Sequence, residues 1–440
     1  MRSALRHRNV PFSRILRRVS VHVLVIGGGL MGTTTAWYLA DAGHEVTLVD
    51  RNPELAAEGS HANGGVLHAG HADPLNTPAV IGQLLRWIGR EESPLLLRPK
   101  RLPLMVRWGL GFLRYSRPQH HARITASNTQ LAVYAQSLMH ALREESGVRY
   151  DAGARGSAKV FRSPEALEHS IELAAQIEPF GVRSRALDAD GLVQLEPALA
   201  GVREQLAGGV HFPNDESGDA CRFVRGLGRA LTDRGASLRL GESVQRIEGN
   251  RDGVTGVVTD RETLTADRYV LAAGVDAPRL ARPLGLRLPI EPVKGYSATL
   301  PVDDGADVPQ VPLIDEEHAV VITRLGDRLR IAGTAEFAGF DRAIRPRRVE
   351  IVARQALSNF PALAGRVDIS SAESWACLRP IPVDGSPILG PSGVPGLYLN
   401  AGPGHLGWTF AAGAARIVSD IVSDREPELD VAPYSIERFR

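Results

Sequence analysis

Apolar residues cluster along this chain in short blocks of differing period. Residues 21–26, VHVLVI, are almost continuously apolar and rich in β-branched side chains. That pattern predicts a central parallel strand buried on both faces. A helix is predicted over residues 33–42, closed by Gly43 where a helix C-terminus favours glycine. Residues 45–49 predict a second strand that ends at Asp50. Further along, residues 218–235 read as an amphipathic helix and 237–240 as another parallel strand. Short alternating stretches punctuated by Gly249, Gly253 and Gly256 predict a hairpin meander. Residues 267–274 form a buried strand ending in Gly274, and residues 397–401 lead through a glycine turn into a helix over 409–422. Residues 319–323 and 328–332 read as antiparallel strands.

Size and charge narrow the class. A chain of 440 residues is too long for one ordinary core, so two domains or an interleaved pair are expected. With 51 basic against 50 acidic residues, the net charge of +1 leaves no global field of the kind a nucleic-acid binder uses. Cys221 and Cys377, the two cysteines, stand far apart, which argues against a disulfide framework and fits a reducing, cytoplasmic compartment. No apolar run approaches the roughly 20 residues that span a bilayer. The first 20 residues stand apart, with Arg2, Arg6, Arg8, Arg14, Arg17 and Arg18 and no acid. They read as a disordered basic tail, as an upstream stretch preceding a true start at Val21, or as a targeting or membrane-touching segment.

Candidate chemistry begins directly after the first strand. Gly27, Gly29 and Gly32 have the G-x-G-x-x-G spacing. The first allows a tight turn, the second lets backbone N–H groups approach a pyrophosphate, and the third lets helix and strand pack closely. Asp50, about 20 residues on, can accept ribose hydroxyls, and Arg51 beside it joins the candidate nucleotide contacts. Strand, helix, second strand and acid together predict dinucleotide binding without separating NAD from FAD. Two further features favour FAD: the small-residue loop with Ser60, Asn63, Gly64 and Gly65, and the strand–glycine–helix unit with Gly404, Leu406 and Gly407. The second offers another positive helix end, suited to the pyrimidine edge of a reduced flavin.

With these residues in place, the chain resembles the superfamily of D-amino-acid oxidase, glycine oxidase and sarcosine oxidase. Within it, the sequence is most similar to the bacterial D-amino-acid dehydrogenase small subunits. The resemblance runs from about Val21 to the end. It is most specific at residues 213–219 (PNDESGD), 292–297 (PVKGYS), 378–385 (LRPIPVDG) and 404–408 (GHLGW). It implies an α/β fold: a Rossmann-type FAD-binding domain from residues 21–73, 208–284 and 373–440, interleaved with a substrate domain from residues 74–207 and 285–372. The substrate domain is expected to be α+β on a mostly antiparallel sheet.

The resemblance implies oxidative deamination of a D-amino acid, with hydride passing from Cα to flavin N5 and electrons leaving to a quinone or another electron-transfer partner. Alternatives are an oxidase or dehydrogenase of glycine, sarcosine or D-hydroxyproline, and a non-catalytic flavin sensor or assembly protein. Three side chains are the catalytic candidates. Arg379, between Leu378 and Pro380, would grip the substrate carboxylate, or else form a buried ion pair with an internal acid. Tyr296 would donate to the same carboxylate or be a core tyrosine. His405 would contact flavin or substrate, or cap the last helix. Cys377 raises a covalent flavin tether, with a buried thiol and non-covalent FAD as the plainer reading. His61, His68 and His71 lack metal-ligand order, so no metal is expected. Residues 84–117 combine Arg86, Arg90, Arg98, Lys100, Arg101, Arg107, Arg114 and Arg117 with Trp87 and Trp108. That face either touches an anionic membrane peripherally or packs on the substrate domain.

Overall fold

The computed structural model describes residues 20–78, 80, 82, 91, 93–305 and 307–440. The arginines from Arg2 to Arg18, and Arg86, Trp87 and Arg90, lie outside the described residues. Two sheets organise the chain. The first has six strands in the order Ile388–Pro391, Leu397–Ala401, Arg268–Leu271, His22–Ile26, Glu45–Asp50 and Ser237–Leu240. All neighbours are parallel except the edge strand Ile388–Pro391.

The apolar run of the central strand is used on both faces. Val23 and Val25 join a core with the helices Leu30–Asp41, Ala220–Asp233 and Gly407–Val422, whereas Leu24 and Ile26 face a second core with Ile247 and Val257 of the meander. Burying both faces of a parallel strand is what a near-continuous β-branched run is suited to. The first helix begins at Leu30, three residues before the predicted start, because Gly29 already sits at its N-cap.

The second sheet has nine strands and is mostly antiparallel. Its order is Glu373–Pro382, Ile290–Pro301, Arg328–Phe337, Val320–Leu325, Leu313–Asp315, Ser157–Phe161, Gly208–Phe212 and Arg185–Leu187, with Leu95–Leu97 alongside Arg328–Phe337. The boundaries expected at residues 208 and 373 fall differently among the sheets. Gly208–Phe212 pairs with Ser157–Phe161, and Glu373–Pro382 pairs over ten positions with Ile290–Pro301. An extended ladder of backbone hydrogen bonds places a strand in its sheet, so both segments belong to the larger one. Arg379 therefore reaches the inter-sheet space from the nine-stranded side.

Candidate active site

Between the sheets lies a cavity of about 520 Å³. One wall is the glycine turn after the first strand. Gly27 has φ +116°, and a Cβ there would stand 2.4 Å from the Ala272 carbonyl oxygen. A Cβ on Gly32 would meet the Gly27 carbonyl at 1.8 Å, so Gly32 seats the helix against the turn. Gly29, at the N-cap, has no capping side chain, and the first helical turn carries no acid. Its open N–H groups and helix dipole favour an anion such as a pyrophosphate. Ser60 Oγ accepts from the Leu30 N–H at 3.0 Å and ties the neighbouring loop to this helix end. Asp50 accepts from the Gly28 N–H at 2.6 Å and from Asn52 N–H at 2.8 Å, which fixes its carboxylate on the cavity wall. These features fit a dinucleotide: only glycine fits the turn, and the helix end beside it carries no acid.

Arg51 lines the cavity and is held there by protein carboxylates. Its guanidinium pairs with Glu58 at 2.5 Å and Asp276 at 2.8 Å, and Arg342 also pairs with Glu58 at 3.0 Å. Protein carboxylates thus occupy the arginine, which braces the cavity rim.

The loop of residues 60–65 closes the cavity towards the larger sheet. Asn63 Oδ1 accepts from the Gly65 N–H at 3.0 Å, Gly65 has φ +73°, and Thr323 Oγ1 donates to the Gly64 carbonyl at 2.7 Å. Gly274 lies on the cavity wall just past the strand Arg268–Leu271, and Gly404 and Gly407 line it at the start of the last helix. Leu406 does not line it: its side chain is 1% exposed and belongs to the helical core.

Arg379 stands on the cavity wall with no carboxylate within ion-pair distance among the described residues. Its Nη1 donates to the Thr334 carbonyl at 2.6 Å. Burial pushes its guanidinium below the usual arginine range. Gly295 makes room, since a Cβ there would lie 2.3 Å from Arg379 Nη2. Tyr296 behaves differently. In the ladder Arg379 faces Val293 and Tyr296 faces Ala376, so strand alternation sends Tyr296 to the opposite side of the sheet. There its hydroxyl donates to Glu336 Oε2 at 2.8 Å, within the core of the larger sheet. The expected second donor to a substrate carboxylate is therefore a core tyrosine.

His405 does line the cavity, 6.3 Å between ring centroids from His71. Burial, with His71 beside it, lowers its pKa from 6.5 to about 3, so the ring is neutral at ordinary pH. His71 in turn approaches Asp73 at 3.5 Å and Glu316 at 3.4 Å, and Glu316 pairs with Lys159 at 3.0 Å. Burial opposes ionisation of Asp73, but His71 and Lys159 outweigh it and hold the carboxyl well below its usual range. His68 and His71 have no metal-ligand order in the sequence. The structure stacks the two rings 5.2 Å apart and sets both on the cavity wall. Their short spacing was visible, but Lys159 comes from a distant strand and Glu316 from the turn after Leu313–Asp315. His61 separates from them and packs on Trp375 at 4.2 Å. Burial pushes the Cys377 thiol up, so it lines the cavity as a neutral thiol.

Comparison with known proteins agrees with this geometry. A family model described as FAD dependent oxidoreductase (DAO) matches residues 22–421. A D-amino acid dehydrogenase of Paramagnetospirillum magneticum is 44% identical over 418 residues, covering 95% of this chain and 98% of that protein. Another, from Cereibacter sphaeroides, is 40% identical over 95% of each chain. Among solved structures, glycine oxidase from Geobacillus kaustophilus superposes with a TM-score of 0.73 at 24% identity, covering 95% of this chain and 98% of its own. L-proline dehydrogenase from P. horikoshii does so at 0.75 and 17% identity, covering 96% and 99%. At such identities these two speak for the fold. The family match over most of the chain and the glycine cradle between the sheets lead to one conclusion: the chain belongs to the DAO family of FAD-dependent oxidoreductases.

Proposed function

We propose that the protein is a D-amino-acid dehydrogenase whose substrate carboxylate is gripped by Arg379. One observation carries the reading: a buried arginine on the wall of the cofactor cavity, its partner a backbone carbonyl and not an acid. A guanidinium so placed is costly until an anion arrives, and its planar fork suits a carboxylate best. The relatives named D-amino acid dehydrogenase, at 40% identity and above, support the substrate class.

Gly27, Gly29 and the first helix end would hold the pyrophosphate of FAD, Asp50 the ribose, and Gly64, Gly65, Gly404 and Gly407 the ring. When bound, FAD supplies a two-electron acceptor for hydride from Cα. The neutral thiol of Cys377 supports a non-covalent cofactor. Arg379 fixes the substrate by its carboxylate, and the cavity walls orient the Cα–H. His405, kept neutral by burial, adds no positive charge beside the amine. The oxidised amine then hydrolyses to a 2-oxo acid and ammonia.

Electrons leave to a quinone or a related carrier, and the protein works on the cytoplasmic face of a membrane. Supporting this is the helix Leu102–Tyr115, which contains no acid and presents Leu104, Val106 and Leu110 to solvent together with Arg107 and Arg114. Among the described residues, no helix is long and apolar enough to cross a membrane.

Anaerobic mixing of the flavin-loaded protein with D-alanine, D-proline, L-alanine, glycine and sarcosine tests the reaction. Bleaching by the D-amino acids, reversed faster by a quinone analogue than by oxygen, is the expected result. Bleaching by sarcosine or glycine alone would reassign the substrate. No bleaching by any amine would leave a flavin protein without this activity.

A further inference from the structure

The Tyr296 hydroxyl is taken by Glu336, whereas another hydroxyl on the cavity wall is left without a partner. Thr334 lies on the cavity wall, 5% exposed, and its Oγ1 has no hydrogen-bond partner among the described residues. A buried hydroxyl left unpaired is uncommon in a native protein and calls for a ligand or a role. The backbone of the same residue already accepts from Arg379 Nη1 at 2.6 Å. Guanidinium-bearing Arg379 and Thr334, with its unpartnered hydroxyl, are thus joined through the backbone on one cavity wall.

The local backbone is built around this placement. In the ladder, Lys294 faces Glu336 and Tyr296 faces Gly333, so Thr334 and Ala335 together oppose the single residue Gly295. That is a β-bulge, a device that re-aims a side chain. At the bulge Thr334 adopts φ +62°, a left-handed conformation that β-branched residues rarely take. Its N–H reaches the carbonyl of Ala319, itself at φ +51°, at 3.4 Å. Across the ladder, the missing side chain of Gly295 leaves the space that Arg379 fills. Bulge, glycine and arginine form one seat.

We infer that Thr334 is a substrate-binding residue, its hydroxyl donating to the α-carboxylate that Arg379 grips. The inference rests on the reading of Arg379 as the carboxylate clamp. Arg379 supplies the charge and the fork, while Thr334 supplies a directional donor that fixes how the carboxylate is turned, and so how the single Cα–H is aimed.

The test uses the FAD-loaded enzyme and two readouts: steady-state kinetics with D-alanine, and titration with propionate followed by the absorbance of the bound flavin. Propionate keeps the carboxylate and lacks the amine, so it cannot turn over. Thr334→Val deletes the hydroxyl and keeps the branched shape. It is expected to raise the Kd for propionate and the KM for D-alanine about tenfold, with the effect on KM rather than kcat and with flavin content retained. Thr334→Ala, which deletes the same hydroxyl in a smaller side chain, must show the same loss, and Thr334→Ser should restore tight binding. Wild-type KM and propionate affinity in both hydroxyl-free variants would overturn the proposal, as would a Ser variant as weak as the Val variant. Arg379→Ala separates the two readings. If it weakens propionate while Thr334→Val does not, only the role of Thr334 fails. If it does not, the clamp itself fails.

Discussion

At the scale of single residues, burial presses on Arg379 and His405 alike, and the two side chains answer differently. Both are cations when protonated, and removal from water disfavours that form. Arginine cannot shed its proton near neutral pH, so Arg379 must be met by an anion. Histidine can, and His405 stays neutral, its pKa lowered from 6.5 to about 3 by burial, with His71 and Arg379 adding to the shift and Asp73 opposing it. The sign of the consequence follows. The unfolded chain protonates this histidine as pH falls through 6.5, whereas the folded protein does not until about 3. Stability is therefore complete above pH 6.5 and declines below it. Down to pH 5, one such residue accounts for about 1–2 kcal/mol. Urea unfolding at pH 7.5 and pH 5 should show His405→Gln losing less stability than the parent by that amount. Equal losses would mean that the imidazole is open to water. At this scale the arginine was legible, because a charged residue between Leu378 and Pro380 stands out in one dimension. Thr334 was not, because nothing in the sequence marks a bulge that depends on how two strands pair.

At the scale of elements, strand parity decides what a side chain can touch. Ile290–Pro301 is buried almost throughout, so hydrophobic alternation cannot tell which of its faces looks at the cavity. That is why Tyr296 was plausible as a substrate contact and proved to be a core residue. Its partner Glu336 is 0% exposed and also takes Arg98 Nε at 2.7 Å. Removing the tyrosine hydroxyl leaves one oxygen of a buried carboxylate without that donor. Tyr296→Phe is thus expected to cost about 1–2 kcal/mol of stability while leaving the KM for the amino acid near its parental value. A large rise in KM with unchanged stability would return the tyrosine to the active site. The nucleotide-binding unit was easier to read. Its strand, turn and helix are contiguous, and steric needs at Gly27 and Gly32 are local. The nine-stranded sheet draws on segments hundreds of residues apart, so its membership at residues 208 and 373 could be known only from the ladder.

For the whole molecule, the helix Leu102–Tyr115 offers a surface that the rest of the fold leaves uncovered. Its inner face is satisfied: Met105 packs with Val293 and Phe337, and Phe112 with Val383. Its outer face keeps Leu104 at 72% and Leu110 at 66% exposure, flanked by Arg107 and Arg114. Apolar side chains that enter the acyl boundary and arginines that meet anionic headgroups are the two contributions a peripheral helix uses. The arginine contribution is screened within about 8 Å at physiological salt, whereas the apolar one is not. Binding to vesicles should accordingly strengthen with anionic lipid, weaken at high salt without vanishing, and be lost in Leu104→Glu/Leu110→Glu. That variant changes two exposed positions that do not line the cavity, so its reduction of a soluble quinone analogue should match the parent. Flotation on vesicles with and without phosphatidylglycerol, run beside that assay, separates the contributions. Retained flotation of the double variant would assign this face to some other contact.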